Sequence, residues 1–174
     1  MHMSQRFIGL LASVMGAILT AALLAAPANA TAPGMQAQID AIIAEHGGRQ
    51  TGVAQVTWRN GAVVLDLATS ERALVAVEGC PTNAYCFYEH EKFNKEDNGR
   101  RLTFRDCTTA GLRQNLYDYG FQDRTTSWVV NKSLRLVDVF TGTNTRLWQE
   151  RAHSKSSNVG TADNDKADWF RCYL

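Results

Sequence analysis

Residues 127–148, SWVVNKSLRLVDVFTGTNTRLW, decide the fold class. Ser127 to Val130 is a run of β-branched and aromatic residues. Asn131-Lys132 breaks it. Leu134 to Phe140 then alternates apolar and polar residues, and Thr145 to Trp148 resumes the pattern. Short runs of this kind, separated by turn residues, are strands rather than helices. The same rhythm extends both ways. Upstream lie a strand at Tyr85–Tyr88, a polar loop at Asn94–Gly99 (NKEDNG), a strand around Leu102 and Phe104, and an aromatic corner, LYDYGF, at 116–121. Downstream, the polar stretch His153 to Thr161 precedes a last strand at Trp169–Cys172. Many short strands at regular spacing predict a mostly β chain folded as a sandwich.

The pattern also hints at duplication. Gln122-Asp123-Arg124 and Asn164-Asp165-Lys166 are two amide–acid–base triplets, 42 residues apart, each shortly before a tryptophan that opens a strand. Two four-stranded keys of about that length would fill one sandwich.

Ahead of the strands the chain changes character. Residues 36–46, QAQIDAIIAEH, set Ile39, Ile42 and Ile43 at helical spacing before Gly47-Gly48, which predicts a short helix with a glycine cap. Val56 and Trp58, then Asn60-Gly61, then Val63, Leu65 and Leu67 predict a hairpin with a tight turn. Residues 69–79 read as a connector. The expected organisation is an N-terminal extension over 31–79 and a β domain over 80–174. Residues 1–30 read as a cleaved secretion signal: Arg6, the apolar run Phe7–Ala26, then Ala28-Asn29-Ala30. The mature product is therefore expected outside the cell, without a membrane anchor.

Export gives the four cysteines their meaning. An even count in an oxidising compartment reads as disulfides. Four cysteines allow three pairings. Cys80 and Cys86 bracket a short turn that can join them, which leaves Cys107 for Cys172. Loop-closure entropy assigns about 2 kcal/mol to the short ring and about 4 kcal/mol to the long one. A zinc site is disfavoured, since there is no Cys-x2-Cys pair. Without the first thirty residues, 17 basic face 17 acidic side chains. A neutral chain has no long-range field for nucleic acid or acidic membranes.

CPTNAYCFYEH at 80–90, GRRLTF at 99–104 and QNLYDYGFQDRTTSWVVN at 114–131 together resemble peptidase inhibitor family I36. The resemblance implies a βγ-crystallin-like double Greek key with a small helix-plus-hairpin appendage. It implies a secreted inhibitor whose partner is an extracellular peptidase, and the family's characterised inhibitor acts on metallopeptidases through a disulfide-held loop. The expected state is a monomer. This chain departs from the crystallin pattern where Lys95 replaces a glycine, where Asn94–Asn98 reads as an insertion, and where Asp168-Trp169 replaces the usual hydroxyl pair.

Three chemistries are on offer. The candidate presenting loops are the bracketed turn, with Pro81, Thr82 and Asn83, and the insertion, with Asn94, Lys95, Glu96 and Asp97. No cofactor is required, but crystallin-like turns bind calcium. Gln122, Asp123, Thr126 and Ser127 in the first turn, with Asn164, Asp165 and Asp168 in the second, supply the hard oxygens that calcium needs. A second reading is therefore a calcium-binding or envelope-associated structural module. Catalysis has no support: the sequence contains no metallopeptidase helix motif, nucleophile elbow or phosphate loop. His90 between two glutamates lacks a nucleophile or metal partner.

Overall fold

The structure is a computed structural model and describes residues 33–67, 76–107 and 110–174. The expected signal, and the part of the connector from 69 to 75, lie outside the described residues.

The extension opens with α1 (Pro33–His46) and continues as β1 (Arg49–Gly52), β2 (Gln55–Trp58) and β3 (Val63–Asp66). Gly47 ends the helix in the left-handed region (φ 68°), where a side chain would be strained, and its N–H bonds Ile43 O at 2.9 Å. The expected tight turn at Asn60-Gly61 is instead a three-residue 3-10 turn, with Arg59, Asn60 and Gly61 all at positive φ. β1 was not anticipated. Its four residues, RQTG, are exposed or half-buried and carry no alternation to read.

Next come β4 (Ala76–Val77), β5 (Cys80–Pro81), β6 (Ala84–Tyr88), β7 (Arg101–Phe104), β8 (Arg113–Asn115) and β9 (Ser127–Asn131). They are followed by β10 (Leu136–Phe140), β11 (Arg146–Glu150), β12 (Lys155–Ser156) and β13 (Trp169–Tyr173). Two antiparallel sheets result, ordered β1-β2-β3-β7-β6-β9-β12 and β11-β10-β13-β8. That order is a double Greek key. In each key the first strand lies between the second and the fourth, while the third crosses to the other sheet: β8 joins the second key and β12 joins the first. The two exchanged strands were missed in the sequence. Both are short and polar, RQN and KS, and β12 lies inside the polar stretch His153 to Thr161.

The later halves of the keys match at a 42-residue offset: β8 and β9 begin at Arg113 and Ser127, β12 and β13 at Lys155 and Trp169. Asp123 and Asp165 both sit at φ 53°. Asp123 N bonds Ala167 O at 3.0 Å, and Asp165 N reaches back to Thr125 O at 3.4 Å. This reciprocal pair is the pseudo-twofold axis that the triplets hinted at.

The inner faces bury Tyr85, Phe87, Phe104 and Phe170 as one aromatic group, with Phe104 and Phe170 centroids 4.7 Å apart. Tyr119 and Phe121 of the aromatic corner, and Trp128 of β9, are buried in the same core. Ile39 and Ile42 of α1 and Val56, Val63 and Leu65 of the extension belong to it too. β3 pairs with β7 from Val63↔Phe104 to Asp66↔Arg101. The extension therefore continues the sheet of the first key and shares its core.

Both disulfides form as expected: Cys80–Cys86 with Cα atoms 5.8 Å apart, and Cys107–Cys172 at 5.4 Å. The latter fastens β13 to the chain following β7.

Candidate functional site

β6 reads AYCFY and is buried along its whole length. Tyr85 and Phe87 face the main core. Ala84, Cys86 and Tyr88 face outward into a second apolar cluster with Cys80, Phe93 and Val129. A strand apolar on both faces needs a cover on each. The outer cover is the β4–β5 hairpin together with the 3-10 turn at Glu91–Asn94.

The hairpin is clamped from below. Three consecutive backbone carbonyls each accept a side-chain donor: Glu78 O from the Tyr88 hydroxyl at 2.8 Å, Gly79 O from Arg101 Nη1, and Cys80 O from Asn131 Nδ2 at 3.0 Å. Arg101 is itself held by Asp66 at 2.7 Å. Asn83 N–H then bonds Asn131 O at 2.9 Å. Of the bracketed turn, Ala84 and Tyr85 are buried strand, so only Pro81, Thr82 and Asn83 form the tip, with Thr82 and Asn83 exposed.

The second candidate loop needs a correction. Asn94 is not a presenting residue, since it is 5% exposed. Its Oδ1 accepts His90 N–H at 2.8 Å and its Nδ2 donates to Arg100 O at 2.9 Å, tying the two ends of the β6–β7 connection together. Asn94, Phe93 and Lys92 all have positive φ, which this bracing sustains. Lys95, Glu96 and Asp97 are exposed, as expected.

The insertion is tied to the β4–β5 turn through a residue that carries no signal in the sequence. Glu78, in the β4–β5 turn, pairs with Lys95 of the insertion and accepts from Lys155 of β12 at 2.6 Å. Its carboxyl is held below the usual range by Lys155 first and Lys95 second. No signal in the sequence marked it, because its partners lie 17 and 77 residues away.

The calcium candidates gather at one end of the sandwich but are already engaged in several bonds. Ser127 Oγ donates to His90 O at 2.6 Å and accepts Phe93 N–H at 3.2 Å. Thr126 Oγ1 donates to Glu89 O at 2.8 Å. The Asp168 carboxylate accepts from Gln122 Nε2 and from Gly142 N–H. Asp123, Asn164 and Asp165 line an open recess with Glu91, Asp97 and Thr126. Asn164 Oδ1 is buried there without a partner among the described residues. Burial, then the negative charge of Asp168, raises the Asp123 carboxyl above its ordinary value. Among the described residues no three His, Cys, Asp or Glu side chains converge on a metal position, so an ion here would draw on backbone carbonyls as well.

Residues 75–154 match peptidase inhibitor family I36. The I36 match supports an inhibitor role in general and points to a protein that is not an enzyme. Solved structures similar to this chain include a βγ-crystallin domain from Clostridium beijerinckii, 23% identical over 52% of this chain and 97% of that one, with a TM-score of 0.39. A clostrillin double mutant in complex with nickel is 22% identical over 53% and 100% of the two chains, with a TM-score of 0.40. No curated protein sequence matches the chain. No helix among the described residues is long and apolar enough to cross a membrane.

Proposed function

We propose that this protein is an exported inhibitor that presents the hairpin 76–83 to the cleft of an extracellular peptidase, of the metallopeptidase class. The observation that carries this reading is the clamp on three consecutive carbonyls beside the Pro81-Thr82-Asn83 tip, of which Thr82 and Asn83 are exposed. An inhibitor must enter a cleft as a substrate does without relaxing into one. A loop held in its bound shape loses little entropy on docking. If the tip is cut, the Cys80–Cys86 bond and the Asn83–Asn131 contact keep the new ends in place, so the cut segment is not released. Glu78, in the β4–β5 turn at the other end of β5, ties the base of this loop to Lys95 of the insertion.

Titration of the oxidised protein against thermolysin-like, subtilisin-like and trypsin-like enzymes tests the reading. Stoichiometric loss of thermolysin-like activity is expected, and replacing Thr82 and Asn83 by glycine should weaken it. Full activity of all three classes at equimolar protein would reject it.

A second reading, calcium binding at the Asp123–Asp165 recess, is favoured by the unpartnered Asn164 oxygen. An ion bound only by the folded chain raises the melting midpoint. The expected result is a higher midpoint in millimolar calcium than in chelator, lost in Asp165→Ala. Identical midpoints argue for two turns that serve the fold alone.

A further inference from the structure

Away from the hairpin, a recess of about 360 Å³ opens between α1 and the first key. α1 supplies Ile42, Glu45 and His46, and the sandwich supplies Arg100, Tyr117 and Arg124. We propose that this recess binds the free α-carboxylate at the end of a peptide chain, with the Arg100 guanidinium as its anchor.

The two arginines of the recess are not equally partnered. Glu89 serves both arginines. Its Oε1 accepts Arg124 Nη1 at 2.7 Å, but its Oε2 accepts the backbone N–H of Arg100, at 2.9 Å. The Arg100 guanidinium has no ion pair or hydrogen bond among the described residues. It is half-buried, and its pKa is lowered first by burial and then by the like charge of Arg124, against which the charge of Glu89 acts only in part. A guanidinium in that position gains from an anion that offers two parallel acceptor oxygens.

The opposite wall narrows the choice of anion. Glu45 accepts the Tyr117 hydroxyl at 3.3 Å and lies 3.7 Å from His46 Nε2. Its negative charge disfavours a phosphate or other multivalent anion. The His46 side chain is only 9% exposed, and its Nδ1 has no partner among the described residues. Ile42 adds an apolar surface beside it. A cation, an apolar wall and an unpartnered imidazole nitrogen in one recess suit a terminal carboxylate with the side chain and amide that precede it.

The test uses the oxidised full-length protein and three probes: N-acetyl-Ala-Leu as the free acid, the same peptide as its C-terminal amide, and N-acetyl-Ala-Asp amide. Calorimetry should show one-to-one binding of the free acid, at least tenfold tighter than either amide. Arg100→Gln should weaken it at least tenfold. Ala41→Trp, at an exposed helix position on the rim, should block it without touching the core, so the question stays answerable if the Arg100 variant fails to fold. No saturable binding of the free acid, equal binding of either amide, or indifference to both substitutions overturns the proposal. Because the readout is binding, the result is separate from peptidase inhibition.

Discussion

Glu150 carries a carboxyl group into the core with 1% of its surface exposed. Its Oε1 accepts the Trp148 indole N–H at 2.8 Å, and its Oε2 has no partner among the described residues. Burial pushes its pKa up to about 8, and the Trp148 bond pulls back only in part. The sign follows from linkage. The unfolded chain releases this proton near the ordinary value of 4.5, and the folded chain holds it to about 8. The stabilisation is complete below the lower value and is lost as pH rises towards the upper one. Glu150→Gln keeps an acceptor for Trp148 and cannot ionise. It should raise the melting midpoint at pH 8 by on the order of 5 °C, and change it little near pH 4. Parallel pH profiles for the two proteins would refute this account. Single residues of this kind were the least legible in the sequence. Glu150 follows Trp148 in a strand pattern that reads as amphipathic, and Asn94 reads as a loop polar residue. Their roles depend on which distant groups close over them.

At the scale of elements, the β4–β5 hairpin makes the argument for preorganisation testable. Asn131→Ala leaves Cys80 O without its donor, a loss of about 1–3 kcal/mol for a buried group. The expected outcome is an inhibition constant at least tenfold weaker and cleavage between Pro81 and Asn83 seen by mass spectrometry, with the fold intact by circular dichroism. Unchanged inhibition would move the presenting surface elsewhere. The cysteines and the strand β6 were readable, because a bracketed turn and an apolar run are local features. The three clamps were not, since Tyr88, Arg101 and Asn131 are polar or amphipathic positions whose register against the hairpin only the folded sheet defines. The same reason hid β8 and β12. A strand that crosses to the other sheet for two or three residues has no room to show a period of two.

At the scale of the whole molecule, the extension raises the remaining question, which is whether residues 33–67 form a detachable unit. The sequence sets an extension over 31–79 apart from a β domain over 80–174, because the regular short strands begin at Cys80. The sheet order runs through that boundary instead: β3 pairs with β7, and Leu65 opposes Leu102 with both side chains fully buried. Without the extension, β7 would be an open edge beside exposed apolar side chains, a template for aggregation. If the extension is continuous with the core, damage to it must propagate. Leu65→Ala removes a fully buried side chain between two strands and should cost about 2–5 kcal/mol. That loss should appear in a single unfolding transition followed both by tryptophan fluorescence and by hydrogen exchange at Val130 and Val139 in the two sheets. Two transitions, with exchange at Val130 and Val139 left as slow as in the unmodified protein, would instead make the extension a separate fold. The shared transition is the expected outcome, because the inner side chains of β2 and β3 have no other core to enter.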